Sequence, residues 1–260
     1  MSTWTSNEEH ALTGENLSLL LENKIPAIRI KGFATPAECQ AFVESVKQGN
    51  IKYYNVQKKI GYIGMAQYEY RWDRPKAEYF EDVKTADAEL AAVTSRSFDP
   101  VRRLIDKLRS VYPHGVGPGE EPGLGKYFAG IIRIASEGVD LHADFAPFNT
   151  LDYAIRHIDS QLGWNFFAEQ PLSGGVTTVH NAPWTPELVP GQIPQSYGLS
   201  REIVREALTF DYAPTAGDVV IFNTRNPHEI APGVAAPGVD RVSIGSFLGR
   251  MPDQSLAMWA

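Results

Sequence analysis

From residue 126 onward the chain is a series of short, apolar, extended segments separated by turn residues: "YFAGIIRIA", "LGWNFFAE", "GGVTTVH", "GDVVIFN" and "RVSIGSFLG". Runs of this length, rich in β-branched and aromatic residues and punctuated by turn formers, build an antiparallel sandwich or barrel. The preceding half reads differently. In "ATPAECQAFVESVKQGN", Thr35 is an N-cap, Pro36 the first helical residue, Glu38 the return partner of a capping box and Gly49 the stop. Residues 76–112 also read as helix, most clearly in "DPVRRLIDKLRSVY", which starts at Asp99-Pro100. The Gly- and Pro-rich "YPHGVGPGEEPGLG" marks a loop or boundary. The expected architecture is α+β, mainly β. One domain covers residues 1–260, with a helix-rich N-terminal part (1–125) supporting a C-terminal jelly roll (126–260).

With 43 % hydrophobic residues in 260, the chain can bury a substantial core. It carries 24 Lys and Arg against 31 Asp and Glu, a net charge of −7, and no basic cluster stands out. Nucleic acid is therefore not an expected partner, since phosphate binding needs concentrated cations. No segment approaches the length of a membrane span. The start, "MSTWTSNEEHALTGENLSLLLENK", lacks the basic and apolar stretches of a signal peptide. The single cysteine, Cys39, excludes an intrachain disulfide. The expectation is a cytoplasmic protein with a small-molecule partner; the oligomeric state is not legible.

Within the strand-rich half, "LHADFAPFN" places His142 and Asp144 two residues apart. In an extended chain they share one side of the sheet, where packing would favour valine or isoleucine. A metal site needs a further ligand from another strand. Of the six histidines, His228 stands at the head of a strand in "GDVVIFNTRNPHEIAPG", after an apolar strand and a short turn. Two histidines and a carboxylate on a β scaffold form the facial triad that holds Fe(II) and leaves coordination positions open for a chelating cosubstrate and O2. If that cosubstrate is 2-oxoglutarate, its distal carboxylate requires a buried cation. Arg241 in "DRVSIGSF" offers a planar fork, and Ser243, on the same strand face, adds a hydroxyl.

Each piece has a plainer reading. HxD occurs in unrelated chains, His228 suits a turn, and Arg241 suits a surface strand paired with Asp240. Their joint order is much harder to obtain by chance. On these residues the chain resembles the Fe(II)/2-oxoglutarate-dependent oxygenases, which have a double-stranded β-helix. More closely it is similar to the free-standing branch containing the halogenases of hapalindole-type alkaloids and the hydroxylases of N-substituted amino acids. The likeness lies in "IIRIASEGVDLHADFAP", "LGWNFFAEQPLSGGVTTVHNAPW" and "AGDVVIFNTRNPHEIAPG…DRVSIGSFLG", across roughly residues 127–250. The resemblance implies that His142, Asp144 and His228 bind iron and that Arg241 with Ser243 holds 2-oxoglutarate. Halogenases of the branch have a small residue where Asp144 stands, so it implies hydroxylation of an unactivated C–H bond in an amino acid, a derivative or a specialised metabolite. Two other readings compete: a non-catalytic jelly-roll module for an acidic ligand, and a metal-dependent cupin-type enzyme that does not use 2-oxoglutarate.

Secondary candidates surround this set. Arg133 is expected to reach the cosubstrate or a substrate carboxylate, or else to form a structural ion pair. Phe145, Phe148 and Asn149 follow HxD directly, and Trp164 and Phe166 share a strand face; all five are candidates for lining a substrate pocket or for the core. His180, before "NAPW", suggests an exposed strand end outside the metal shell, and His157 a polar helix or loop. The segment "IKYYNVQKKIGYIGMAQYEYRW" (51–72) holds five tyrosines and reads as a packing hairpin or as a lid over the substrate.

Overall fold

The structure is a computed structural model that describes residues 4–55, 58–71, 74–186, 198–238 and 240–260. Its principal strands in chain order are β1 (Glu9–His10), β2 (Ala27–Ile30), β3 (Lys52–Tyr53), β4 (Gly61–Ile63), β5 (Val116–Pro118), β6 (Ile131–Ile134), β7 (Val139–His142), β8 (Ser160–Glu169), β9 (Thr177–His180), β10 (Thr209–Tyr212), β11 (Val219–Asn223), β12 (His228–Ile230), β13 (Val242–Arg250) and β14 (Leu256–Trp259). The longer helices are α1 (Gly14–Leu21), α2 (Pro36–Lys47), α3 (Lys76–Thr94) and α4 (Pro100–Arg109). No helix among the described residues is long and apolar enough to cross a membrane.

The helices start where side-chain chemistry tells them to. At α2 the Thr35 hydroxyl accepts the Glu38 N–H at 3.3 Å, and the Glu38 carboxylate accepts the Thr35 N–H at 2.8 Å. The 76–112 stretch is two helices rather than one. Pro100 keeps Asp99 out of the helical region (φ −98°, ψ 100°), and the Asp99 carboxylate caps the restart by accepting from the Arg102 N–H at 3.0 Å.

Two sheets organise the chain. The large one has ten strands in the order β1-β2-β11-β8-β13-β6-β4-β3, with β14 pairing β13 and β5 pairing β14; the small one is β10-β9-β12-β7. Half of the large sheet, β1 to β5, comes from the first 125 residues, so this part does more than supply supporting helices. The stretch 112–125 likewise contains a strand, with Val116 paired in parallel to Leu256. Segments of two to four residues are too short to show a period, which is why they read as loop.

The central strand β8 sets the layering. Leu162, Trp164 and Phe166 point to the helix side and bury with Leu17, Leu20, Phe42 and Leu104. Phe167 points the other way, joining Val220 and Phe222 against Val179, Phe210 and Tyr212 of the small sheet. Helices thus cover one face of the large sheet and the small sheet covers part of the other.

Candidate metal centre and its cavity

Gly138 turns the chain from β6 into β7. Its φ of +80° and the 2.5 Å between a notional Cβ and the Ile230 carbonyl leave no room for a side chain. The strand it starts ends on His142. Strand β12 runs beside it and begins on His228, so the two histidines are paired across the ladder with ring centroids 4.1 Å apart. Asp144 closes the group, its Oδ2 lying 3.6 Å from His142 Nε2 and 3.7 Å from His228 Nε2. Among the described residues this is the one set of three His, Cys, Asp or Glu side chains whose ligand atoms all lie within 4.8 Å of one another.

The surroundings prepare these atoms for a cation. His142 Nδ1 contacts the Asp140 carbonyl at 2.6 Å and His228 Nδ1 the Asn226 carbonyl at 3.0 Å. A carbonyl only accepts, so each Nδ1 carries the proton and each Nε2 presents a lone pair to the centre. Burial, together with the adjacent His142, holds the His228 imidazole well below its usual pKa, which keeps it neutral and able to ligate. Asp144 is fixed through its backbone: its N–H donates to the Thr224 carbonyl at 2.9 Å, and the Thr224 hydroxyl donates to its carbonyl at 3.0 Å. Two imidazoles and a carboxylate, all largely buried, fit a divalent first-row metal, and Fe(II) in particular where open positions are needed.

Arg241 sits at the start of β13, 3 % exposed, with its guanidinium over the Phe167 ring at 5.2 Å. Asp240, its partner in the plainer reading, is engaged elsewhere, accepting from the Arg241 backbone N–H at 2.9 Å and from the Ser136 hydroxyl. Among the described residues Arg241 Nε has no acceptor, and no carboxylate lies within ion-pair distance of the side chain. Burial, reinforced by the positive Arg133, pushes the guanidinium down to about 10, which leaves it charged at neutral pH and short of an anion. A desolvated cation of this kind is costly until a carboxylate meets it. Ser243, 2 % exposed, lies two residues on along the same strand face. His142, Asp144, His228, Arg241 and Ser243 all border one cavity of about 630 Å³ between the sheets, a volume suited to small-molecule ligands.

A relative from Purpureocillium lilacinum, "Leucinostatins biosynthesis cluster protein S", is 31 % identical over 199 residues, covering 74 % of this chain and 80 % of that protein. The L-gamma-glutamyl-L-propargylglycine hydroxylase of Streptantibioticus cattleyicolor is 26 % identical over 267 residues, covering all of this chain and 97 % of that protein. No family model matches the chain. Among solved structures, an N-substituted L-amino acid dioxygenase from Burkholderia ambifaria shares the fold, with a TM-score of 0.63, 15 % identity, and 95 % of this chain and 91 % of that one covered. The non-heme alpha ketoglutarate dependent epimerase SnoN from nogalamycin biosynthesis superposes with a TM-score of 0.54 at 11 % identity, covering 92 % and 86 %. The chain belongs to the Fe(II)/2-oxoglutarate-dependent oxygenases.

In this oxygenase the secondary candidates divide. Arg133 borders the cavity, paired across the ladder with Ser243 and Tyr62. Phe145, Phe148 and Asn149 do not border it. After Asp144 the chain turns into a helical stretch (Ala146–Asn149), held by the Gln161 side chain accepting the Ala146 N–H at 2.7 Å. That turn carries Phe145 and Phe148 into a separate cluster, with Arg225 4.9 Å from the Phe145 ring and Trp184 5.9 Å from that of Phe148. Phe166 belongs to the helix-side core, 5.5 Å from the ring of Phe33 and 5.9 Å from that of Phe42. Trp164 borders the cavity, while its indole packs in the same core and donates to Ser246 at 2.7 Å. The opposite parity of β8, Gly163 and Asn165, also reaches the cavity.

His180 stands outside the triad, as expected, but is buried rather than exposed, with Nε2 3.3 Å from Glu229. His157 ends an exposed 3₁₀ turn. The 51–72 segment is both packing and wall. Its hairpin extends the large sheet through β4 and β6, while Tyr54, Lys58, Tyr68 and Glu69 border the cavity. Val56, Gln57 and Trp72 of that segment lie outside the described residues. Thr224, which fixes Asp144, and Asn165 carry no motif and were not legible in the sequence.

Proposed function

We propose that this oxygenase hydroxylates an unactivated C–H bond of an amino acid or a small amino-acid derivative. Its two facing sheets are read as the jelly roll. The observation that carries the proposal is that one cavity holds both the His142–Asp144–His228 cluster and the buried, unmatched guanidinium of Arg241. This pairing favours a metal plus a carboxylate cosubstrate over a plain binding module, which would need no such triad. A cupin-type enzyme without 2-oxoglutarate would leave Arg241 without purpose. Iron bound there, with 2-oxoglutarate and O2, supplies oxidation of the C–H bond while 2-oxoglutarate is converted to succinate and CO2. His142 and His228 are assigned as neutral ligands, oriented by their Nδ1–H bonds, and Asp144 as the anionic ligand. Arg241 and Ser243 grip the distal carboxylate of 2-oxoglutarate, fixing its orientation without acid–base work.

Hydroxylation is preferred to halogenation because Asp144 fills the position through which a halide would enter. The substrate class is supported by the curated relative named as a γ-glutamyl amino-acid hydroxylase and by the structural neighbour named as an N-substituted amino-acid dioxygenase. The test is iron-dependent formation of succinate with a panel of amino acids, γ-glutamyl dipeptides and N-acyl amino acids, followed by mass analysis for one added oxygen. Replacing His142 or His228 by alanine is expected to abolish turnover. Full activity in His228→Ala would remove it from the ligand set.

A further inference from the structure

The central strand β8 runs from the metal centre to the Arg241 pocket, and Gly163, Asn165 and Phe167 lie on its cavity side. Gly163 marks the metal end. A notional Cβ there would lie 2.6 Å from Cγ2 of Thr224, the residue bonded to the Asp144 backbone. Its cross-strand neighbour Phe222 has its ring 4.9 Å from that of His228. Phe167 marks the other end, with the Arg241 guanidinium 5.2 Å from its ring. At about 3.4 Å per residue of strand, the two ends are about 14 Å apart along β8.

Asn165 stands halfway between them. Its partner on β13 is Gly245, and the carboxamide lies over that residue, with Oδ1 2.9 Å and Cγ 3.4 Å from a notional Cβ there. Only glycine at 245 leaves it this place. Of the β8 residues that border the cavity, Gly163 has no side chain and the Trp164 indole is committed to Ser246. The half-buried Asn165 side chain has no hydrogen-bond partner among the described residues. It therefore offers both a donor and an acceptor to whatever crosses the floor formed by the two glycines.

A ligand held at the metal and at Arg241 together has to cross Asn165. 2-Oxoglutarate is built this way, with a chelating 2-oxo acid at one end and a carboxylate at the other. We propose that Asn165 is a second anchor for the cosubstrate, its Nδ2–H donating to the 2-oxo-acid end while Arg241 and Ser243 hold the distal one. The proposal rests on the hydroxylase reading and deepens it. A grip at the distal carboxylate alone leaves the chelating end free to swivel about it. A bond from Asn165 close to the metal fixes the orientation in which that end meets the iron. A neutral amide does this without adding a charge that would compete with Asp144.

Titration of the anaerobic Fe(II) protein with 2-oxoglutarate measures binding without turnover, by calorimetry and by the visible charge-transfer absorption of an iron-bound 2-oxo acid. Asn165→Leu keeps the volume and removes the amide. It is expected to bind Fe(II) alone as the parent does, to hold 2-oxoglutarate on the order of tenfold more weakly, and to shift the absorption band. A merely structural role for Asn165 would leave the band of the saturated complex where it is. Asn165→Asp, which sets a carboxylate against the bound carboxylate, is expected to weaken binding further. Should the leucine variant fail to fold, the nearly isosteric aspartate variant carries the test. Parent-like 2-oxoglutarate affinity and an unmoved band in a folded variant overturn the proposal. If that variant also loosens an amide-bearing substrate such as γ-L-glutamyl-L-norvaline, Asn165 belongs to substrate recognition instead. A parent protein that binds 2-oxoglutarate no better with Fe(II) than without overturns the hydroxylase reading, and the anchor falls with it.

Discussion

Arg241 is the residue whose position most needs a ligand. It is 3 % exposed, stacked on Phe167, and unmatched by any carboxylate among the described residues. Arg241→Met keeps the stem and its contact with Phe167 while removing the fork. A charge-assisted bond of about 1.5–3 kcal/mol is lost, so the KM for 2-oxoglutarate is expected to rise roughly 10- to 150-fold with iron affinity retained. An unchanged 2-oxoglutarate titration would remove Arg241 from that role. Asp144 makes a different test possible, because the bonds that fix it, to and from Thr224, run through its backbone. Asp144→Gly therefore removes the carboxylate and leaves the backbone bonds with Thr224 in place. The variant is expected to fold, to hold the metal less tightly and to lose most hydroxylation, with traces of chlorinated product sought by mass analysis in chloride-rich buffer. A glycine variant that hydroxylates like the parent would show that the anionic ligand lies elsewhere.

The helices show how much of an element can be read from its ends. The capping box of α2 was legible because its parts are local, and its energetics can be checked through Glu38. Arg103, donating at 2.6 Å, and the Thr35 N–H hold the Glu38 carboxyl at about 2, against an ordinary value near 4.5. A depressed carboxyl stabilises the fold fully above its unfolded value, and the contribution declines below about 4.5 and is gone near 2. Glu38→Gln is thus expected to lower Tm at pH 7, and the gap to the parent should narrow as pH falls from 4.5 toward 3; a gap independent of pH would contradict the assignment. Thr35→Ala, which removes the other half of the box, is expected to cost about 1 kcal/mol at neutral pH. Strand faces are harder to read than caps. Both parities of β8 are rich in large apolar residues, and only the packing of α1, α2 and α4 decides that Phe166 turns toward the helices and Asn165 toward the cavity. The same holds after Asp144, where a tertiary bond from Gln161 starts the turn that takes Phe148 away.

At the scale of the molecule, the centre was legible because its chemistry is improbable in a core. His142, Asp144, His228 and Arg241 each violate the packing rule for a largely buried stretch, and such violations stand out in or beside an apolar run. The walls were not legible, because Tyr54, Thr224 and Glu69 obey local rules and reach the cavity only through sheet pairing. The cavity also lies between the two sheets, with ligand residues from the small sheet and Arg241 from the large one. Any ligand spanning them ties the layers together, so stability should report occupancy without turnover. The native state binds and the unfolded chain does not, which adds RT ln(1 + [L]/Kd), about 2.7 kcal/mol at a hundredfold excess over Kd. For a chain of this size that corresponds to a rise in Tm of about 5–10 °C. Anaerobic Fe(II) with saturating 2-oxoglutarate is expected to produce such a rise, and chelation of the metal to reverse it. Because Arg241 is assigned to the cosubstrate and not to the metal, Arg241→Met should keep the increment due to Fe(II) alone and lose most of that due to 2-oxoglutarate. Equal increments in the parent and the variant would mean that 2-oxoglutarate stabilises the fold through some other anchor, and the assignment of the large sheet as its binding wall would fall.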